Sequence, residues 1–287
     1  MEQKSAIMLR VLMNRYHQGA PDVLLSGLPK DDAAVVLAQD ISSSDASKIL
    51  QLPVDLLGEK IHYSWLVPVL ETFSKPMQSF LISALPQHNA QALSHLMKRP
   101  LVPTQATSVR EYLLSLLCQK FSKRSVLPIE FLPETSLTRL GTLNKAELIE
   151  LIDYLGLFDL AEELRHIVDN VLVKSIYNCL SPKKQHFLRA SLHKKEKLKA
   201  GKIGLMNWKG DRLQLERLLH RRGLLRFSYA LAGQNRDFVW HIVHRLDVGR
   251  GHLIGKYYSS KEFPGVTAFL CQQVLNTLNF LNKTSLK

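Results

Sequence analysis

The chain has 287 residues, 46% of them hydrophobic, and carries 38 lysines and arginines against 25 acidic residues. This length suggests two domains, and the apolar content is that of a folded protein rather than a disordered one. The three cysteines, Cys118, Cys179 and Cys271, are odd in number and far apart, with no Cys-x-x-Cys pair. This argues against a disulfide framework and against a zinc site, so we expect a reducing, cytoplasmic location.

The start of the chain is apolar at helical spacing, but Arg10 and Arg15 interrupt it and no small-residue cleavage site follows. This predicts an amphipathic helix rather than a signal peptide. No stretch reaches the ~18 uninterrupted apolar residues that a membrane-spanning helix needs. We therefore expect no transmembrane segment, and a protein that is cytoplasmic unless a partner holds it at a membrane.

Apolar residues recur with the 3.6-residue period of α-helices along almost the whole chain. This spacing predicts helices over 3–17, 29–39, 43–51, 75–84, 86–97, 108–121, 143–155, 157–179, 182–199, 210–232, 236–247 and 265–281. No stretch alternates apolar and polar residues long enough to form a sheet, although residues 252–259 fit either a short strand or a loop. Linker-like composition near 98–104, 122–128 and 200–210 predicts three units. They are an N-terminal helical repeat unit over 1–104, a middle helical unit over 105–200 and a basic C-terminal helical unit over 201–287.

One helix-start unit recurs, with a Leu-Pro pair at Leu28 and again at Leu85, 57 residues later; looser copies begin at Leu143 and Leu180. Proline suits the first helical turn, and a leucine just before a helix packs back onto it as a staple. Repeats of this kind predict an all-α fold of stacked short helices. We expect an armadillo-like, right-handed superhelical array in two or three subdomains, with Leu28 and Leu85 buried at equivalent positions.

Charge is distributed unevenly. Residues 183–261 hold 19 of the lysines and arginines but 5 acidic residues, a net charge of +14, whereas residues 126–170 hold 3 basic and 9 acidic residues, or −6. A basic surface of this size attracts nucleic acid, anionic lipid or an acidic protein face. The alternative is that part of it docks on the acidic segment of its own chain.

Candidate partner-binding residues follow from these two segments. Trp208 is included because an aromatic ring between Lys202 and Lys209 can be a binding hot spot, the alternative being packing of a loop. The predicted set comprises Lys183, Lys184, Lys194, Lys195, Lys197, Lys199, Lys202 and Trp208 on the basic side, with Glu147, Glu150 and Asp153 on the acidic side.

A His-Arg-Leu-Asp sequence at 244–247 matches the tetrapeptide that holds the catalytic aspartate in one family of RNA pseudouridine synthases. That match would make Asp247 a nucleophile. However, the surrounding sequence is helical and Val-Gly-Arg-Gly follows, which favours a helix that ends at a glycine turn. We therefore predict no catalytic residue here.

His241, His244 and Asp247 are spaced to share one helix face, as metal ligands do. No cysteine lies nearby and the glutamate of a metalloprotease pair is missing, so we expect surface or capping histidines. Residues 251–256 resemble a phosphate loop but are one residue short between the glycines, and Tyr257 stands where Ser or Thr should bind magnesium. The sequence therefore predicts no metal and no cofactor.

The stretch 137–192 resembles the C-terminal helical part of the flagellar motor switch protein. The likeness rests on a run of leucines and on an Asn-containing turn followed by a basic helix start, here Leu140, Leu143, Leu148 and Leu151, then Asn178-Cys179-Leu180-Ser181-Pro182-Lys183-Lys184. The Leu-Pro units are similar to the armadillo-like repeats of the same family's middle domain. The resemblance implies a bridge between a membrane ring and a cytoplasmic ring.

The family's torque helix mixes acidic and basic residues, whereas the basic residues within 183–199 are accompanied by Glu196 alone. The chain therefore looks more like a type III secretion adaptor than a rotor part. We expect a non-enzymatic adaptor that binds proteins of a membrane-associated assembly, with a higher-order ring or oligomer as one form of it. The alternative is a helical nucleic-acid-binding protein that uses its basic C-terminal third.

Overall fold

The computed structural model describes residues 1–17, 21–41, 57, 60–103, 106–121, 126–193 and 203–285. Its α-helices, in chain order, are α1 (Gln3–Tyr16), α2 (Pro21–Leu25), α3 (Lys30–Leu37), α4 (Val67–Leu70), α5 (Lys75–Ala84), α6 (Gln87–Met97), α7 (Thr107–Phe121), α8 (Lys145–Leu164), α9 (Asn170–Cys179), α10 (Pro182–Leu192), α11 (Arg212–Ala230), α12 (Arg236–Arg245), α13 (Val248–Tyr257) and α14 (Thr267–Ser285). No strand occurs in these residues, so the prediction of an all-α fold is confirmed. The armadillo-like, right-handed superhelical arrangement stays a prediction.

Two compact units divide the chain. Unit 1 consists of residues 1–141 and 235–248, and unit 2 of residues 142–234 and 249–287. These limits do not coincide with the predicted boundaries after residues 104 and 200. The reason is that α12, from the basic C-terminal third, packs with the N-terminal half, a long-range contact that linker composition does not reveal.

The Leu-Pro units form similar junctions in unit 1. The N–H of Leu28 donates to the carbonyl of Leu25 (3.0 Å), and that of Leu85 donates to Ile82 (3.2 Å). Pro29 and Pro86 both have extended ψ angles, near 145°, so each caps its helix from outside instead of occupying the first turn as predicted. Leu85 is buried as predicted, whereas Leu28 is half-buried and packs against a smaller cluster of apolar side chains.

Helix α12 supplies polar contacts to the irregular segment 126–142 of unit 1. The Asp237 carboxylate accepts a hydrogen bond from the Leu127 N–H (3.1 Å), and the His241 ring lies 2.7 Å from the Leu127 carbonyl oxygen. Arg245 donates to the carbonyl of Leu140 (3.3 Å). Three side chains on one helix thus pair with backbone groups that have no regular hydrogen-bonding partners.

Unit 2 is built around the crossing of α8 and α11. A Cβ atom added to Gly223 would lie 1.8 Å from the carbonyl oxygen of Ile152, and one added to Gly156 would lie 2.1 Å from that of Leu219. The two helices therefore touch through their backbones, which glycine alone permits. The predicted break at Gly156 is wrong. Helix α8 continues through Gly156, because the absence of a side chain there lets α11 pack against the backbone.

Several further predictions for single elements differ from the structure. The predicted helix 43–51 lies outside the described residues, as does the end of the helix predicted over 182–199. Helices α2, α4 and α13 were not predicted. Helix α13 replaces both the glycine turn after residue 247 and most of the strand or loop at 252–259, and the helix predicted over 157–179 is interrupted between α8 and α9. Helix α12 ends because Leu246 is extended (ψ 160°), not because of a glycine.

Candidate partner-binding surface

Helices α8, α10 and α11 bring acidic and basic side chains of unit 2 together. Lys184, in the first turn of α10, lies 3.0 Å from one carboxylate oxygen of Asp153 on α8. The other oxygen lies 2.7 Å from Nδ1 of His220 on α11, and Arg250 donates to Nε2 of the same ring (2.8 Å). The acidic middle segment and the basic third therefore pair within one unit, which was the alternative left open for their opposite charges.

Burial opposes ionisation of Asp153, but the hydrogen bond from His220 and the charge of Lys184 outweigh it, so the pKa of Asp153 is lowered. Because Nε2 of His220 accepts a hydrogen bond from Arg250, the ring proton lies on Nδ1 and is donated to Asp153. These contacts orient Lys184 and Asp153 toward their own chain. Of the predicted set, these two residues serve an internal contact.

A second carboxylate of α8, Asp159, is almost fully buried, with 3% of its surface exposed. It accepts hydrogen bonds from the guanidinium groups of Arg222 and Arg226 on α11. Arg226 also donates to the side-chain oxygen of Gln273 on α14 (2.6 Å). Two guanidinium groups thus share one carboxylate.

The remaining acidic candidates have local roles or face solvent. Asn144 and Glu147 form a reciprocal capping box at the start of α8, with the Asn144 N–H donating to the Glu147 carboxylate (2.7 Å). Glu150 is exposed. Glu163, which the sequence did not single out, accepts hydrogen bonds from the backbone N–H groups of Ile203, Gly204 and Leu205, and so anchors the segment before α11.

The basic candidates divide into three groups. Lys183 is exposed at the start of α10. Lys194, Lys195, Lys197, Lys199 and Lys202 lie outside the described residues. Trp208 is 7% exposed, packs in the core of unit 2 and donates from Nε1 to the carbonyl of Asp211 (2.8 Å). The prediction of Trp208 as a binding hot spot is therefore corrected to a core residue, because its ring faces are covered by its own chain.

The histidines of α12 belong to the interior of unit 1. His241 is 2% exposed and burial lowers its pKa to about 4; burial likewise lowers the pKa of His244 to about 4. His244 Nδ1 lies 2.8 Å from the carbonyl oxygen of Trp240, and its ring packs against those of Trp65 and Trp240. Instead of a surface or capping histidine, His241 is a core residue, and His244 is half-buried among aromatic rings; each ring lies beside a backbone carbonyl.

Metal binding at α12 has no geometric support. Within the described residues, no three His, Cys, Asp or Glu side chains lie close enough to hold a metal ion. Asp247 is half-buried between α12 and α13, directly after Leu246, which is fully buried. The phosphate-loop-like stretch 251–256 is part of α13.

A groove on unit 2 was not predicted. It encloses about 500 Å³ between α8, α10 and α14, and four phenylalanines form its apolar lining: Phe158, Phe187, Phe269 and Phe280. Phe187 makes edge contacts with Phe158 and Phe280, with ring centroids 5.4 and 5.0 Å apart. We call it the aromatic groove. Phenylalanines on three predicted helices were visible in the sequence, but their convergence depends on how those helices pack.

Comparison of the chain with models of known protein families, with characterised proteins and with solved structures gives no match. None of the helices in the described parts of the chain combines the length and the apolar character that crossing a membrane requires. Fold and surface thus define an all-α protein of two units, one of which carries an aromatic groove beside exposed cations.

Proposed function

We propose that this protein is a non-enzymatic cytoplasmic adaptor that links a membrane ring to a cytoplasmic platform in a type III secretion or flagellum-like apparatus. The resemblance of residues 137–192 to the flagellar motor switch protein supplies the kind of assembly. The observation that carries the adaptor role is the cationic surface of unit 2, which stands on rigidly packed helices.

This surface has a structural basis in unit 2. On α8, the half-buried Asp153 is engaged by Lys184 and His220, and the buried Asp159 by Arg222 and Arg226. These ion pairs join α8 to α10 and α11. Further cations of α10 and α11 are exposed, namely Lys183, Arg189, Arg217 and Arg221. A cationic face on a rigid scaffold orients and accelerates docking of an acidic partner. In the sequence, five more lysines follow α10 within residues 194–202.

The test is recruitment. Lys183, Lys194 and Lys195 are changed together to glutamate in the full chain, and ring and platform components are measured in pull-downs from the native cell. The matched control reverses Lys174, Lys209 and Lys261, which are exposed on unit 2. We expect recruitment to be lost in the first variant alone, with both variants keeping the wild-type helical circular dichroism. The control, whose three charges are exposed and contribute little to stability, measures the effect of charge reversal elsewhere on unit 2.

Two outcomes would contradict the adaptor role. One is recruitment that persists undiminished in the first variant. The other is tight, sequence-selective binding of DNA or RNA at ~150 mM salt, which would favour the nucleic-acid-binding alternative. In that case binding would weaken steeply with added salt, as counterions are released from the phosphates.

A further inference from the structure

We propose that the aromatic groove of unit 2 binds an acidic amphipathic α-helix of a partner protein. The inference rests on the proposed adaptor function for the existence of a protein partner, and it names the chemistry of that partner. Helix-in-groove recognition places apolar side chains, spaced by three or four residues, into a hydrophobic groove and leaves charged side chains at the edges.

The lining of the groove suits the apolar face of such a helix. Phe158, Phe269 and Phe280 are half-buried, so part of each ring remains accessible, and Phe187 is buried behind them. Aromatic rings of this kind supply large contact area with few rotatable bonds. Ala190, which is exposed on α10, leaves space between the rings.

The wall formed by α14 sets the length of the partner. Gln272, Asn276, Asn279 and Lys283 are spaced by four, three and four residues, so they form one exposed stripe along the helix. From Phe269 to Lys283 this wall is about 20 Å long at 1.5 Å per residue. A partner helix of about 15 residues, or four turns, matches it. Within this stripe, the Gln272 side chain donates to that of Asn276 (3.1 Å).

The charges around the groove select an acidic partner. Helix α10 carries the exposed Lys183 and Arg189, helix α14 carries the exposed Lys283, and neither helix contains an aspartate or glutamate. Behind the lining, the guanidinium group of Arg226 lies 5.6 Å from the ring centroid of Phe158. Arg226 belongs to the cluster in which two guanidinium groups share one carboxylate. The exposed charges of α10 and α14 therefore favour carboxylates. On α8, which forms the third wall, Asp153, Asp159 and Glu162 are engaged by cations of the same chain.

The first test uses purified full-length protein and labelled synthetic peptides of about 15 residues. The acidic peptide has leucines at helical spacing and glutamates elsewhere; a second peptide has lysine in place of each glutamate, and a third is a scrambled acidic sequence. We expect fluorescence anisotropy to show saturable binding of the acidic helical peptide alone. Equal binding of the lysine peptide or of the scrambled peptide would overturn the inference, as would no binding of any peptide.

A second test locates the binding. Ala190→Trp fills the groove and should weaken binding of the acidic peptide by at least about tenfold, whereas Val171→Trp, at an exposed position of α9, should leave it unchanged. Lys283→Glu should weaken binding several-fold and Lys174→Glu should not. A photo-crosslinking residue at Asn279 should capture the peptide in the otherwise unaltered chain. Unchanged affinity in Ala190→Trp, together with no capture at position 279, would overturn the groove as the site.

The outcomes separate this inference from the adaptor function. If Ala190→Trp no longer binds the peptide but is still recruited to ring and platform components, the groove inference stands and recruitment depends on other surfaces. If the acidic peptide binds but the charge-reversed protein and its control are recruited equally, the adaptor proposal fails while the groove inference survives. Displacement of the peptide by an unrelated oligonucleotide at ~150 mM salt would instead indicate a polyanion surface and overturn the inference.

Discussion

The two units bury polar side chains in different ways. In unit 1, Asp237, His241 and Arg245 project from α12 and pair with backbone groups of the irregular segment 126–142. In unit 2, Asp159, Arg222 and Arg226 pair with one another between two helices. Backbone N–H groups within helices are already paired, so the charged side chains buried between α8 and α11 pair with one another. An irregular segment leaves backbone groups that side chains of a neighbouring helix can pair with, although Asp237 also forms an ion pair with Lys4 (3.0 Å).

The two units also differ in how closely their helices approach and in the titratable side chains that they bury. Unit 2 brings two helix backbones into contact at Gly156 and Gly223, which places the charged side chains beside the crossing. Unit 1 includes a buried histidine, His241, whose Nδ1 has no hydrogen-bond partner among the described residues. Unit 2 is therefore expected to be sensitive to changes in buried charge and helix spacing, and unit 1 to protonation.

The largest effect is expected from Asp159→Ala in unit 2. This change leaves the guanidinium group of Arg226, 5% exposed, without its carboxylate, and should lower the free energy of unfolding by about 3 to 5 kcal/mol. The control is Glu216→Ala, which removes an exposed ion pair with Arg212 and should cost at most about 1 kcal/mol. Urea unfolding monitored by circular dichroism measures both, and equal losses would contradict the importance of burial at Asp159.

Acid should weaken unit 1 before unit 2. The pKa of His241 falls from 6.5 to about 4 on folding, so the unfolded chain binds more protons between those values and stability drops as the pH is lowered. The loss from His241 should reach about 3 kcal/mol at pH 4, and His244 shifts in the same direction. In unit 2 the lowered pKa of Asp153 means that its contribution is lost at still lower pH, below the ordinary value of 3.8.

The check is the pH dependence of unfolding in His241→Gln, which keeps a side-chain donor for the Leu127 carbonyl but does not titrate. We expect a shallower loss of stability between pH 6.5 and pH 4 than in the wild-type chain. Hydrogen exchange resolved by peptide should show α12 losing protection earlier than α11 as the pH falls. An unchanged pH slope in the variant would refute the role of His241.

Gly223→Ala tests the helix crossing of unit 2. The added carbon would meet the carbonyl oxygen of Ile152, so α8 and α11 must separate, at a cost near the upper end of about 1 to 3 kcal/mol for overpacking. Gly255 in α13 is the matched control, since an added carbon there meets no atom within 4 Å. Gly255→Ala should stabilise by about 0.5 to 1 kcal/mol through helix propensity. Equal thermal midpoints for the two variants would contradict the close crossing.

The fate of Gly156 shows what local sequence rules can and cannot predict. Helical periodicity predicted most helices, because the spacing of apolar residues within each amphipathic segment indicates which face is buried. A glycine within such a segment disfavours a helix, and the sequence therefore predicts a break at Gly156. The helix continues because the missing side chain allows α11 to approach. Gly156 faces Leu219 of α11, and Ile152, one turn before Gly156, faces Gly223 of α11. The sequence around Gly156 does not reveal this distant contact.

The partner-binding surface of unit 2 was likewise predictable only in part from local sequence. Opposite charges of the acidic and basic segments were evident from composition, and they allowed for an internal pairing of the two segments. Which lysine pairs internally and which stays exposed depends on the packing of α8 against α10. The aromatic groove and the burial of Trp208 likewise arise from helices that meet in three dimensions, and no spacing along the chain predicts either.

The smallest difference between the two units is expected at the leucines that directly precede a helix start, because both units contain one in the same setting. Leu85 in unit 1 and Leu180 in unit 2 each leave a helix with extended ψ and are 4% and 6% exposed. Truncation of either to alanine should cost about 2 to 3 kcal/mol, since burial and local geometry match. Leu28→Ala should cost about 1 kcal/mol, because that leucine is half-buried. Thermal unfolding of the three variants ranks their losses of stability. An unchanged midpoint for Leu85→Ala would show that Leu85 is not part of the core and would contradict the interpretation of the Leu-Pro units as a structural repeat.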